Sequence, residues 1–397
     1  MQLKDSYDVI VVGAGPAGSS TAEACAKQGL DVLVLERNQE VGVPKRCGEG
    51  LSHNAVMRLK LDLPKKCIAQ EINCAIVYAP NMKRIDIKFE GTEGYILERK
   101  IFDKWLAYNA ARAGASILTK SFVHGVIKSD GFVKGVAATI MDEEREIRSK
   151  IVVAADGVES LIARKAGLRT NKKLNLVDSG LQYEMGNIKL ENPKRIALYF
   201  GNNIAKRGYV WIFPKGKDIA NVGVGIVPGS GKTAKQYLDA FIESCDELRN
   251  GSIIEVNGGC VPVGGLMKNM VANGLVCVGD SANQVNPIHG GGIAESISAG
   301  RIAGDVIARA IAANDFSARF LEKYNKIWWK ERGEKLQRVE KVREAFEKMS
   351  DGQLNDLIDV LSGEDLVAFT RGNNLLKLAR VMIKYNMKGI ARAVGLG

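Results

Sequence analysis

Two rhythms of apolar residues alternate along this chain. The opening YDVIVVG is a continuous apolar run of strand length that breaks at glycine, residues 19–28 are small and fit a helix, and DVLVLE restores an apolar strand ending at Glu36. Strand, glycine turn, helix and strand make a βαβ unit. LSHNAVMRLKL then fits a helix, and CAIVYAP and RIDIKFE fit short strands. In ERKIFDKWLAYNAARA, Ile101, Trp105, Tyr108 and Ala111 recur at helical spacing and Gly114 supplies a stop. Further strands end with IVVAADG at 151–157.

From about residue 175 to 263 the pattern shifts to alternating strands in RIALYFG, GYVWIFPKG and ANVGVGIVPG, with KTAKQYLDAFIESC as a helix. This marks a separate antiparallel lobe. NGLVCVGDSANQVNPIHGGGIAESISAGRIAGDVIARAIAA returns to strand, loop and a long small-residue helix, and beyond residue 316 the chain is helical and charged. The expected division is 1–75, 97–174 and 264–315 as one discontinuous α/β domain, 76–96 and 175–263 as a smaller antiparallel-sheet domain, and 316–397 as a C-terminal helical region.

Composition narrows the class. With 397 residues, 46% apolar and 25% charged, the chain can bury cores without crosslinks. Its seven cysteines and three histidines form no C-x-x-C pair and no metal-ligand spacing, which predicts a reducing, intracellular protein without a bound metal. The N-terminal apolar run breaks too early for a signal segment or a membrane span. A formal charge of +11 favours anionic partners. No nucleic-acid reader module accompanies it, so nucleic acid is not an expected partner.

The chemistry begins with G-x-G-x-x-G at Gly13, Gly15 and Gly18, between a strand and a helix, with Glu36 ending the next strand. Such a turn lets a pyrophosphate approach a helix N-terminus, and Glu36 can accept hydrogen bonds from an adenosine ribose. Residues 274–293 select a flavin over a nicotinamide: Asp280 at a strand end can hold a ribityl hydroxyl, and Gly290, Gly291 and Gly292 open a helix whose N-terminus favours the charge of a reduced flavin. IVPGSGKT at 226–233 imitates a phosphate loop, but Ile226 occupies the place of its first glycine, so it reads as an ordinary loop.

GAGPAG, ERKIFDKWL with Arg99, ADG at 155–157 and GDSANQVNP together resemble the glutathione-reductase-type FAD proteins of the p-hydroxybenzoate hydroxylase group. Within it, PKRCGEG at 44–50 and YVWIFPKG at 209–216 resemble the geranylgeranyl reductase family, and most closely its archaeal digeranylgeranylglycerophospholipid reductases. The resemblance covers roughly residues 5–315. It implies a Rossmann-like FAD-binding domain, tightly bound FAD, and reduction of isoprenoid double bonds on a glycerophospholipid of archaeal membranes. Residue by residue it implies that Ala17, Glu36, Arg99 and Val123 contact the adenosine half of FAD. Cys47, Gly48 and Gly50 would lie against the flavin ring, and Asp280, Gly292 and Ile293 would hold its ribityl and pyrimidine portions.

Several roles stay open at this level. Cys47, next to Lys45 and Arg46, could be a proton donor, a redox partner or packing. Tyr209, Trp211 and Phe213 share one strand face, either as a wall over the flavin and a lipid tunnel or as sheet core. Lys215 could attract an anion or sit on a hairpin; Trp328 and Trp329 could anchor at an interface or fill core. His53 and His289 read as structural. Arg371, Lys377, Arg380, Lys384, Lys388 and Arg392, interleaved with aliphatics, suit a basic amphipathic helix on anionic lipid or one packed on the body. The expected location is cytoplasmic and peripheral to the membrane, with electrons from NAD(P)H or a ferredoxin-like protein. An FAD-dependent aromatic monooxygenase and a non-catalytic prenyl-lipid carrier share the fold and stand as alternatives.

Overall fold

A computed structural model describes residues 3–89, 91–170, 173–229, 231–385, 387–393 and 395, with Lys388 and Ala393 described in backbone only. The apolar runs of the first and last Rossmann segments form the centre of an eight-stranded sheet. Leu275–Cys277, Glu143–Ala154, Ser6–Val12, Val32–Leu35 and Ser116–Leu118 lie side by side in that order, all parallel. Residues 9–12, 32–35, 151–154 and 275–277 are buried on both faces, which is why they read as continuous apolar runs rather than alternations. Two antiparallel strands, Ser121–Ser129 and Phe132–Ile140, extend the sheet from Glu143–Ala154.

The first helix, Pro16–Lys27, and the long helix Ile293–Ala312 pack on one another through small residues. A Cβ at Gly300 would stand 2.6 Å from the Ala17 carbonyl oxygen, so glycine is what lets these backbones touch. That contact sets the N-termini of both helices at the same end of the parallel sheet.

The second lobe is a seven-stranded sheet ordered Ser252–Pro262, Val177–Gly186, Ile219–Ile226, Tyr209–Pro214, Arg195–Phe200, Cys74–Tyr78 and Arg84–Lys88. All its pairs are antiparallel except Arg195–Phe200 with Cys74–Tyr78. Its own core, including Tyr183, Met185, Val210, Ile212, Val222 and Val224, lies under the helix Ala234–Ser244. Two strand boundaries differ from expectation. The lobe takes the chain from Cys74, because the parallel register begins at Cys74 opposite Arg195, and Gly94–Leu97 pairs instead with Gly50–Ser52 and Ile68–Ile72 in a small third sheet. That third sheet has strands too short to announce themselves by periodicity.

The C-terminal region is a succession of helices, and Trp328 is fully buried beneath them while Trp329 packs beside it. The basic tail forms two short helices, Leu375–Lys384 and Lys388–Ala393, rather than one. Leu378 and Met382 are buried with Val342, Ala345, Met349 and Phe369, so the apolar side faces inward. The side chain of Lys388 lies outside the described residues.

Leu378→Ala and Met382→Ala should each lower stability by about 2–5 kcal/mol, the usual loss for a buried aliphatic. Leu376→Ala, at an exposed position of the same helix, should stay within about 0.5 kcal/mol. Equilibrium urea unfolding of the three variants checks the difference.

Candidate active site

The dinucleotide end of the site follows from the first turn. Gly13 has φ +102°, and a Cβ there would lie 2.4 Å from the Ala155 carbonyl oxygen. A Cβ at Gly18 would collide with the Gly13 carbonyl oxygen, whereas Gly15 looks into open space with nothing within 4 Å. Gly15 caps the helix through its backbone alone, with no side-chain hydrogen bond, and Pro16 sets the first helical residue. An uncapped helix N-terminus beside an open concavity suits a pyrophosphate. Glu36 accepts the Ala14 N–H at 2.9 Å and both the backbone and side-chain N–H of Asn38 at 3.0 and 2.7 Å. Its carbonyl takes the Ser121 N–H, which brings buried Val123 of the adjoining strand to the same end. Asp156 of the ADG turn accepts the Ile162 N–H and the Ser281 hydroxyl, tying that turn to the Asp280 loop.

The other end gathers residues that are far apart in sequence. Ala17 reaches within 2.7 Å of where a Gly279 Cβ would be, and Asp280 Oδ1 within 3.1 Å of where a Gly292 Cβ would be. Gly292 is the N-cap of the long helix and has no side-chain cap. The structure therefore brings Ala17, Asp280 and Gly292 together, with a second positive helix end aimed at the same space. Ile293 packs with Leu51, Leu97 and Phe102 beneath it. These features fit an FAD stretched between two helix N-termini. His289 Nδ1 accepts the Gly291 N–H, and His53 pairs with the Tyr95 hydroxyl, so both histidines have structural partners.

The Cys47 loop meets the aromatic strand. Tyr209, Trp211 and Phe213 are half-buried, whereas Val210 and Ile212, on the opposite face, fill the lobe's core. The aromatic face thus lies opposite the lobe's core and borders the Cys47 loop, and this side is termed the chamber side. Phe213 lies 3.1 Å from a would-be Gly48 Cβ and 3.7 Å from that of Gly50. Trp211 lies flat over Gly223, where a Cβ would be 2.3 Å from its ring, and donates Nε1–H to Gln182 at 2.9 Å. Gln182 in turn donates to the Cys47 carbonyl at 3.1 Å. Tyr209 gives its hydroxyl to the His289 carbonyl, joining the strand to the triple-glycine loop.

The two cations next to Cys47 in sequence are engaged elsewhere. Lys45 turns inward to Glu49 and Glu184, and Arg46 reaches toward Glu159 at the surface. Burial pushes the Cys47 thiol up, and the charge that opposes this is Arg99. Arg99 itself forms a two-pronged pair with Asp103, at 2.8 Å on both arms, and stands beside Cys47. The structure therefore places Arg99 at the Cys47 loop.

Sequence reasoning missed the centre of this arrangement. Glu49 is fully buried, adopts φ +72°, and accepts hydrogen bonds from the Arg99 N–H at 2.8 Å and the Asn221 amide at 2.6 Å. Lys45 and Lys215 reach it at 3.2 and 3.3 Å, and both also bind Glu184 at 2.9 Å; Lys215 adds Glu98 at 2.9 Å. Lys215 is thus neither a surface hairpin cation nor an open anion trap. Burial works against its charge, but Glu49, Glu184 and Glu98 outweigh it and hold the ammonium well above its ordinary value. Burial likewise opposes the Glu184 carboxylate, and the two lysines hold it below the usual range. The only signal in the sequence was a carboxylate set between two glycines in an otherwise cationic loop.

Comparison with known proteins places both lobes. Residues 8–172 match the family model of FAD dependent oxidoreductases, and residues 177–261 match that of the geranylgeranyl reductase catalytic domain. A digeranylgeranylglycerophospholipid reductase of Methanocaldococcus jannaschii is 42% identical over 368 residues, 92% of this chain and 93% of its own. One of Methanocella arvoryzae is 39% identical over 399 residues, 99% of this chain and 100% of its own. The crystal structure of a geranylgeranyl bacteriochlorophyll reductase-like protein from Thermoplasma acidophilum superposes with a TM-score of 0.89 at 37% identity, covering 96% of this chain and 99% of that one.

Lys215→Met would leave buried carboxylates facing a single lysine, and should cost about 3–5 kcal/mol at pH 7. Because Glu184 is held low by its lysines, the stabilisation is present at neutral pH and fades as the carboxylates protonate. The deficit should therefore shrink toward pH 4, as urea unfolding at both pH values would show.

Proposed function

Because the chain belongs to the geranylgeranyl reductase family of FAD-dependent oxidoreductases, we propose that it saturates the double bonds of 2,3-di-O-geranylgeranylglyceryl phosphate or derived phospholipids in archaeal membrane lipid synthesis. The observation that carries this reading is the aromatic strand. Its Tyr209–Trp211–Phe213 face is turned away from the lobe's core and toward the Cys47 loop, where an extended apolar chain could lie beside the flavin.

In this reading Gly13, Gly15 and Gly18 seat the pyrophosphate with the N–H groups of the first helical turn, and Glu36 and Val123 receive the adenosine. Ala17 packs where the first helix meets the Asp280 loop. Asp280 holds the ribityl chain, Gly292 and Ile293 present a helix end to the pyrimidine side, and Cys47, Gly48 and Gly50 border the ring, with Arg99 fixing their loop. When bound and reduced, FAD supplies the hydride. The protein's share is to orient the alkene, exclude water with its aromatic wall and bring a proton to the second carbon, since an isolated alkene is a poor hydride acceptor without one. The hydroxylase and carrier alternatives have no residue here that favours them.

Electrons arrive from NAD(P)H or a ferredoxin-like protein. No helix among the described residues is long and apolar enough to cross a membrane. Contact with an anionic membrane surface is supported by the outward face of Leu375–Lys384, where Leu376, Arg380, Ile383 and Lys384 are all exposed. In this reading the protein works in the cytoplasm, peripheral to the bilayer that holds its substrate.

Dithionite-reduced protein incubated with the geranylgeranyl lipid phosphate should yield products heavier by pairs of hydrogens, and an unchanged lipid mass would overturn the reading. Glu36→Ala and Asp280→Ala should each weaken FAD retention by about 1–3 kcal/mol, the loss for a hydrogen-bonded charge, measured as flavin released per chain on dilution. Cys47→Ser should keep the flavin spectrum while lowering turnover or altering which bonds are reduced.

A further inference from the structure

The alkene needs a proton as well as a hydride, and the sheet that roofs the chamber carries one carboxyl group suited to give it. Along Val177–Gly186, alternate residues Leu181, Tyr183 and Met185 go to the lobe's own core, so Asp178, Gly180, Gln182 and Glu184 share the chamber side. Gln182, in the middle, holds Trp211 and the Cys47 carbonyl. Glu184 lies at one end, locked between Lys45 and Lys215. Asp178 lies at the other, about 20 Å away at the rise of a strand.

The surroundings of Asp178 belong to the flavin side of the chamber. Its cross-strand neighbour Val261 reaches within 3.3 Å of a would-be Gly290 Cβ, in the triple-glycine loop. Its charge acts on the phenol of Tyr209, the residue that hydrogen-bonds the His289 carbonyl in the same loop, and Tyr209 also senses Cys47. Asp178 and Cys47 thus both lie near enough to Tyr209 for their charges to act on it.

Unlike Glu184, Asp178 has no cation within ion-pair distance among the described residues. Arg343 and Arg207 are near enough to act on it, but both are paired with Glu347, Arg343 at 2.5 Å. Glu340, on the same helix as Arg343 and Glu347, is taken by the Gly265 N–H. Asp178 Oδ1 is buried without a hydrogen-bond partner among the described residues, and so is Arg343 Nε. Burial first, then the Glu347 charge, push this carboxyl up to about 7 against the pull of Arg343 and Arg207. An acid that loses its proton near neutrality is matched to proton transfer. Cys47, whose thiol is pushed up by burial, is a weaker candidate.

We propose that Asp178 supplies the proton of alkene reduction, directly or through one water. The assignment rests on the reductase reading. The alkene π bond breaks, one carbon forms a C–H bond with the Asp178 proton, and the other forms a C–H bond with the hydride equivalent of the reduced cofactor. The π pair forms the bond to the proton, the hydride's two electrons form the other C–H bond, and the Asp178 carboxylate recovers its proton from water.

The test uses the FAD-loaded full chain with Asp178→Asn and Asp178→Glu, and the same proteins stripped of flavin. Infrared difference titration of the stripped, 13C-aspartate-labelled protein should show a carboxyl titrating near neutral pH in the wild type that is missing in D178N. D178N should keep the flavin absorbance and fold, yet hydrogenate 2,3-di-O-geranylgeranylglyceryl phosphate about 10²-fold more slowly in a dithionite-reduced single turnover. D178E should recover part of the rate. The wild-type rate should fall as pH rises past about 7, where the acid is spent, and the D178N rate should not follow that limb. Wild-type rate and pH profile in D178N, or no aspartate titrating near neutrality, would overturn the assignment. A wild type that never hydrogenates the lipid would overturn the reductase reading and this assignment together, and is told apart because the inactivity is then not confined to the variant.

Discussion

Burying Glu49 is the constraint that organises this molecule. A carboxylate removed from water is costly unless charges and hydrogen bonds compensate it, and here the compensation comes from Lys45 on its own loop, Lys215 and Asn221 on two strands of the second lobe, and the backbone of Arg99 at the start of a helix in the first. No single element can satisfy it. The loop bearing Cys47 is therefore fixed only when both lobes are assembled around it. Its left-handed backbone, unfavourable for a residue with a side chain, is held by those same contacts. The position of Gly48 against Phe213 follows from this clamp, because Phe213 is two residues before Lys215 on the chain.

The parallel sheet solves a different problem by different means. Its two helix N-termini converge because the first helix and Ile293–Ala312 meet at small residues, with Gly300 against the backbone of Ala17. Packing, not charge, sets their spacing. The nucleotide end is thus built from short-range steric rules and the chamber end from long-range electrostatic ones, and the cofactor reading requires both to hold at once.

This difference explains what was legible in the sequence. Gly13, Gly15, Gly18 and Glu36 sit within one βαβ unit, so their spacing is their geometry. Asp280 and the triple glycine are likewise local to one strand–loop–helix. The alternation of Tyr209, Trp211 and Phe213 fixed a shared face, but a period of two cannot say which face meets solvent, core or ligand; only Gly223 beneath Trp211 and the buried Val210 and Ile212 decide that. The Glu49 cluster draws on residues 45, 49, 98, 184, 215 and 221, and charged residues carry no periodic mark of burial. Lys215, one step past a proline, reads equally as an anion site or a hairpin cation for that reason. The basic tail showed its amphipathic stripe plainly, yet the stripe could not reveal that Val342, Ala345 and Phe369 would cover Leu378 and Met382.

The two ends of the chamber face of Val177–Gly186 show how one strand can separate fixed charge from exchangeable charge. At Glu184 the lysines are inside the cluster, so the carboxylate stays ionised and serves as structure. At Asp178 the available arginines are already committed to Glu347, so burial prevails and the proton stays within reach. The same side-chain chemistry on the same face thus takes opposite roles according to whether a cation reaches the carboxylate within hydrogen-bond distance. A reductase that must hold its ring-side loop still while renewing a proton in every turnover has reason to keep these functions at opposite ends of one strand, with the aromatic wall and Gln182 between them.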